Sequence, residues 1–183
     1  MILKLKIDVG DYFYYLLHPR PVVLIVASSD EKTNVMTCSW NMPVAEEPPL
    51  VAIAISKESF TNELIDKTAE FTINIPTKDL LKAVMIAGTK SGRKVDKVKL
   101  MKITLKPSKK VKPPIIEECV GHLECKVTNK IEAGECMLYV AEVLEAYANK
   151  DIFRKGWLLD KVEIPHHFKS SIFVIPRQTV RVK

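Results

Sequence analysis

This sequence predicts a mainly β fold with short helices, arranged as an antiparallel barrel of Greek-key-like form. Seven or more stretches read as strands, against two or three short helices. The strands often follow one another directly, whereas a doubly wound parallel sheet needs a helix after nearly every strand. The clearest pair is Gly121 to Ile131 and Glu135 to Tyr147, which alternate on either side of Glu132-Ala133-Gly134 and read as a hairpin.

In chain order, Met1 to Ile7 alternates loosely, as an edge strand does, and Asp11 opens an aromatic-rich segment, Tyr12 to Leu17. His18-Pro19-Arg20-Pro21 breaks any helix, because each proline restricts the residue before it. Pro21 to Ala27 is an unbroken, β-branched run, hence a buried strand, and is too short to cross a membrane. Ser28 to Lys32 is a polar turn. Thr33 to Asn41 crowds small hydroxyl and amide side chains around Trp40 and reads as a loop too polar for a core. After the turn at Glu46-Glu47-Pro48-Pro49, Leu50 to Ile55 is a second apolar strand.

Thr61 to Lys67 reads as a short helix with Leu64 and Ile65 inward, and Glu70 to Ile75 as a strand. Thr77 suits the N-cap of a helix reaching about Ala87, with Leu80, Leu81, Val84 and Ala87 at helical spacing and Gly88 as its stop. Lys90 to Lys99 is expected as loop and Leu100 to Leu105 as an edge strand, with Pro107, Pro113 and Pro114 bracketing a linker. The tail, Asp151 to Lys183, begins amphipathically and ends in a short strand at Ser171 to Ile175. A single domain is expected over 1–183, its core at about 18–147 and 148–183 an extension completing the barrel or a dimer.

With 183 residues, 47% of them hydrophobic, the chain can bury one core. The sequence has no basic-then-apolar leader, no apolar run near membrane length and no lipidation signal, so the expectation is a cytoplasmic protein without membrane contact. The net charge of +6 is local. Lys90 to Lys112 holds ten Lys or Arg and one acid, Asp96, leaving 18 basic and 21 acidic residues elsewhere. That segment has no aromatic for base stacking, so a solvated strand edge is favoured over nucleic acid. Attraction of a phosphate-bearing cofactor or an acidic partner stays open.

Cys38, Cys119, Cys125 and Cys136 contain no C-x-x-C, and no secretory signal argues for disulfides. Cys119, His122 and Cys125 have a zinc-like spacing, but residues three apart on a strand face opposite ways, so no metal site is expected. The six glycines form neither G-x-G-x-x-G nor a P-loop, and there is no G-x-S-x-G, H-E-x-x-H or acidic cluster for a divalent ion. Hydrolysis is therefore poorly supported.

Two clusters remain as candidates. Asn34, Thr37, Cys38, Ser39 and Trp40 suit a flat heteroaromatic ligand. Ser56, Lys57, Ser59, Thr61 and Asn62 precede or open a helix, where free N–H groups and the helix dipole favour an anion. Read from the residues alone, an ordinary N-cap is favoured over a ligand contact for Ser59 or Thr61, while Thr37, Ser39 and Asn34 equally serve as turn residues and Trp40 as core.

The ordered set Arg20-Pro21-Val22-Val23, Ser28-Ser29, Asn34, Thr37-Cys38-Ser39-Trp40, Pro48-Pro49-Leu50-Val51, Thr61, Glu70 to Asn74, Gly88, Ser91-Gly92, Asp96-Lys97, Cys119, His122-Leu123-Glu124-Cys125 and Gly134 resembles the flavin reductase-like family. It looks closest to the flavoredoxin and archaeal ferric reductase branch. The resemblance covers about His18 to Tyr147. It implies an FMN-binding split β-barrel, a homodimer with the flavin near the subunit interface, and electron transfer through non-covalent FMN without a catalytic acid or base.

The resemblance places the flavin ring against Asn34, Thr37, Cys38, Ser39 and Trp40, and the phosphate near Ser56, Lys57, Thr61 and Asn62. Lys90, Arg93 and Lys97 are candidate attractors of the phosphate or of an acidic partner, a solvated loop being the plainer reading of each. Relatives that use NADH carry Gly-Asp-His in the second hairpin, where this chain has Gly134-Glu135-Cys136. That departure favours an electron carrier over direct NAD(P)H oxidation. His166 and His167 are placed at a pocket edge or on the surface. The alternative is a non-catalytic dimeric binding or interaction module that keeps the barrel.

Overall fold

The computed structural model describes residues 6–182. Of the strand expected over 1–7, residues 1–5 lie outside that range, and Lys6 and Ile7 are not in a strand. A 3-10 helix, Gly10–Leu17, then leads into β1 (Arg20–Pro21), β2 (Val23–Ser28), β3 (Thr33–Cys38), β4 (Asn41–Ala45) and β5 (Leu50–Ser56). The helix α1 (Phe60–Thr68), β6 (Glu70–Ile75), α2 (Leu81–Thr89), α3 (Lys97–Met101), β7 (Leu105–Lys106) and β8 (Ile115–Ile116) follow. The long hairpin is β9 (Gly121–Ala133) and β10 (Cys136–Ala148), and the described chain closes with β11 (His166–Lys169) and β12 (Ile172–Val174).

Seven strands form one antiparallel sheet in the order β3-β2-β6-β9-β10-β5-β4. Its two outer strands are consecutive in sequence, joined by Ser39 and Trp40 alone, so the sheet curls until its edges face each other. They are not paired, and the barrel stays open along that seam. Gly134, at φ +58, makes the tight turn of the hairpin.

β2 is buried at every position because both of its faces are covered. Ile25, Ile53, Ile55, Phe71 and Tyr139 fill the barrel together with Leu64 and Ile65 of α1. On the other face, Leu24, Val26 and Val35 pack against Ala83, Val84 and Ala87 of α2. Each such fully buried Leu, Ile or Phe contributes about 1.5–3 kcal/mol.

A second buried element ties the basic segment to the sheet. The fully buried Glu124 carboxylate accepts from Lys109 N at 3.0 Å, Lys110 N at 2.6 Å and the Tyr147 hydroxyl at 3.0 Å. Burial alone would raise its pKa, but these donors hold it below the usual carboxylate value.

Several expectations are corrected. Thr33 to Cys38 is a strand, not a loop, and Asn34, Val35 and Cys38 are buried. Asn34 bonds to Thr61 of α1, Thr37 to Val84 of α2 and Thr33 to Ser28 of β2, so polarity misreads it. Gly88 lies inside α2 rather than ending it, and a Cβ there would meet Thr37 Cβ at 3.3 Å. Its small size serves a close helix–strand approach. Thr77 caps a 3-10 turn, Lys78–Leu80, without a side-chain bond.

The expected loop and edge strand over 90–105 instead contain α3, started by Asp96, whose carboxylate accepts from Lys99 N at 3.0 Å. Only Leu105 and Lys106 pair as strand. The start of the tail is a series of turns with one bridge, Phe153 to Trp157.

Cys119 belongs to the outer core and Cys125 to the inner one, and His122 Nδ1 donates to Asn74 Oδ1 at 2.9 Å. No cluster of three or more metal-ligating side chains occurs among the described residues. Nor is any helix among them long and apolar enough to cross a membrane.

Candidate functional site

A cleft of about 290 Å³ opens where the edge strand β3 runs between the start of α1 and the end of α2. It gathers Asn34, Thr37, Thr61, Lys90, Arg93 and Lys97, all candidates from the sequence, together with Phe60, Ser91 and Gly92.

α1 supplies the anion-binding end. Ser59 caps it by accepting from Asn62 N at 3.1 Å, leaving the N–H groups of Phe60 and Thr61 without a helical partner. Thr61 Oγ1 accepts from Asn34 Nδ2 at 2.8 Å, so its own hydrogen is free to donate. Arg93 donates to Glu58 O at 2.9 Å, pairs with Glu63 and stacks over Phe60 at 5.5 Å. Its positive charge is thereby fixed beside the helix start. Gly92 fits against Asn34 so closely that a Cβ would lie 2.0 Å from Oδ1.

Lys97 overturns the solvated-loop reading. It is 6% exposed, and its ammonium donates to Val35 O at 2.9 Å and Ala87 O at 2.7 Å. Burial lowers its pKa from 10.5 to about 8. Because β3 has only β2 beside it among the described residues, alternate residues turn their backbone groups outward. The Lys97–Val35 bond identifies that set as Thr33, Val35 and Thr37. The cleft therefore combines an edge of donors and acceptors, suited to a flat polar ring, with a cationic helix start suited to phosphate.

Cys38, Ser39 and Trp40 continue along β3 beyond the cleft. Cys38 is buried, its thiol directed to Trp40 O at 3.4 Å, and burial pushes its pKa up to about 12, so it stays a neutral thiol. Arg20 donates to Ser39 O at 3.0 Å and Asn41 O at 2.8 Å, fixing the two-residue link between the sheet edges. Trp40 is half-exposed beside a second, largely apolar cavity of about 310 Å³ lined by Phe13, Tyr14, His18 and Met42.

Three of the proposed phosphate ligands are not gathered. Ser56 is exposed at the end of β5, Lys57 pairs with Glu132, and Asn62 Oδ1 accepts from the buried Tyr139 hydroxyl at 2.8 Å. His166 and His167 lie on β11 against β1, away from the cleft. Phe60 and the packing role of Arg20 were missed. Phe60 carries no motif, and Arg20 gives no local sign that it will reach Ser39 and Asn41.

The donor set fits a flavin mononucleotide, whose phosphate needs cations and free N–H groups and whose ring needs a flat polar edge. Residues 15–163 match the flavin reductase like domain. An uncharacterised protein of Archaeoglobus fulgidus is 43% identical over 140 residues, covering 76% of this chain and 78% of its own. The flavoredoxin of Methanosarcina acetivorans superposes with a TM-score of 0.85 at 25% identity, covering 98% of this chain and 94% of its own. An FMN-binding domain of a flavin reductase-like enzyme from Shewanella baltica gives a TM-score of 0.81 at 25% identity, with 93% of each chain covered. These likenesses support a flavin as cofactor and flavin-dependent oxidoreduction as the class of activity, and the chain belongs to the flavin reductase-like domain family.

Proposed function

We propose that this protein binds FMN non-covalently in the β3 cleft and passes electrons through it. One observation carries the reading: Asn34, Thr61, Arg93 and Lys97, spread over 64 positions of sequence, meet at one helix start and one open strand edge. Bound FMN supplies the electron-accepting chemistry. The protein's part is to bind and orient. The start of α1, Arg93 and Lys90 hold the phosphate, while the outward groups of β3 and the Lys97 ammonium face the ring.

The half-buried Cys136 opens β10, with its thiol pKa raised by burial and by Glu135, and lies outside the residues lining the cleft. With no imidazole in that position, a flavoredoxin-type carrier fed by a redox protein is favoured over direct NAD(P)H oxidation. The exposed Phe13, Leu16, Leu17, Met42 and Val44 are the face we assign to a homodimer.

Titration of the apoprotein with FMN and with riboflavin, followed by flavin fluorescence, tests the site. Arg93→Met is expected to weaken FMN binding about tenfold while leaving riboflavin binding nearly unchanged, since only FMN carries the phosphate. Equal loss for both ligands would reject this placement. Anaerobic titration of the loaded protein with NADH and NADPH then separates the two modes: rapid bleaching establishes a reductase, and bleaching only by dithionite or a reduced protein supports the carrier.

A further inference from the structure

The cavity of about 310 Å³ beside Trp40 shares no lining residue with the cleft and has the build of a second ligand site. Phe13, Tyr14 and Leu17 of the 3-10 helix, Trp40 and Met42 at the sheet edge, and Leu138 of β10 wall it. The Tyr14 and Trp40 rings lie 6.1 Å apart, inclined by 59°. Walls of this kind suit a single aromatic ring. The one charged residue among those lining the cavity is Arg20, and no Asp or Glu accompanies it.

Arg20 is half-buried and held in a fixed pose. Its Nε donates to Ser39 O at 3.0 Å and its Nη2 to Asn41 O at 2.8 Å, which occupies the edge of the guanidinium that carries Nε. The adjoining edge presents two parallel N–H groups, one on Nη1 and one on Nη2, and fits both oxygens of a carboxylate. Nη1 is not among the buried, unpartnered atoms of the described residues, so it is open to an incoming group. Arg20 forms no ion pair among those residues, and its two carbonyl partners leave its charge uncompensated.

We propose that this cavity binds a monocyclic aromatic carboxylate, its ring against Tyr14 and Trp40 and its carboxylate on the open edge of Arg20. A neutral aromatic molecule would leave the guanidinium without a counter-charge. An inorganic anion or a short aliphatic acid would leave the aromatic walls uncovered. Phe13, Leu17 and Met42, at 64%, 67% and 51% exposure, belong to the proposed dimer face, so a second copy would close over the bound acid.

The test uses the full chain, with and without FMN, and phenylpropanoate as the probe. Heat of binding is read by titration calorimetry and the Trp40 indole N–H by NMR. The expected result is uptake of a single equivalent that shifts Trp40 and leaves Trp157 in place, whether or not FMN is present. Phenylpropanamide, which lacks the charge, and propanoate, which lacks the ring, should each bind about tenfold more weakly or worse. Arg20→Lys keeps the charge but loses the fork and should weaken the acid about tenfold. Ala54→Leu, on β5 opposite Leu138, fills the cavity and should abolish uptake. The comparison of acid with amide decides the matter even where a variant fails to fold. No uptake, equal affinity for acid and amide, uptake that survives Ala54→Leu, or release of the acid by FMN would overturn the proposal.

Discussion

The Asn34 amide is held by two neighbours, Thr61 and Gly92, and both contacts are testable. Gly92→Ala puts a methyl group where Asn34 Oδ1 now lies, so Asn34 must turn away from Thr61. The expected outcome is a loss of about 1–3 kcal/mol in urea unfolding, with weaker FMN binding by fluorescence titration.

Lys97 gives a pH signature. Its folded pKa, about 8, lies below the ordinary 10.5, so between these values the unfolded chain binds the extra proton and stability rises with pH. Urea unfolding of wild type and Lys97→Met from pH 7 to 11 should show that rise only in the wild type.

Lys97 also shows where sequence stops being informative. Ten basic residues in 23 positions look alike in sequence, and nothing local says that one of them reaches across 62 positions to Val35. Thr61 was legible as a candidate because it opens a helix, and Asn34 because it sits in a polar run beside Trp40, whereas Arg93 stood out only as one charge of a basic segment. Ser56, Lys57 and Asn62 have the same composition, and only tertiary packing turns them elsewhere.

Among the elements, those with a repeating pattern were legible. β6 spans the predicted residues, α1 and the β9–β10 hairpin agree within a few positions, and Leu64 and Ile65 face inward as their spacing requires. β3 was read as a loop because its polar side chains find partners on α1 and α2, outside any local window. Ser59→Ala removes the bond to Asn62 N and should cost about 1 kcal/mol, measured by thermal unfolding.

The loop between β7 and β8 depends on one buried carboxylate. In Glu124→Gln, the charge that meets Lys109 N, Lys110 N and Tyr147 is lost, with an expected cost of about 2 kcal/mol at pH 7. Because the Glu124 pKa is lowered, this contribution is complete above the unfolded carboxylate pKa, near 4.5, and fades as pH falls through the folded value. The difference between wild type and Glu124→Gln should therefore shrink in acid.

At the level of the molecule, the barrel was legible from strand count and spacing, but its open seam was not, since no sequence pattern reports that two edges face each other without pairing. The proposed dimer face is tested by Leu17→Lys with Met42→Lys. Sedimentation velocity should show the doubly substituted protein as a monomer where the wild type is a dimer, with circular dichroism unchanged because both side chains are exposed. The seam has one more consequence. In the outward-turned set of β3, Thr33 and Thr37 are not buried, so in the ligand-free chain their amides should exchange with deuterium far faster than those of the fully buried β2. A molecule lying along the seam would slow these two in particular. Isotope uptake at two positions thus becomes a count of occupied sites that needs neither colour nor turnover.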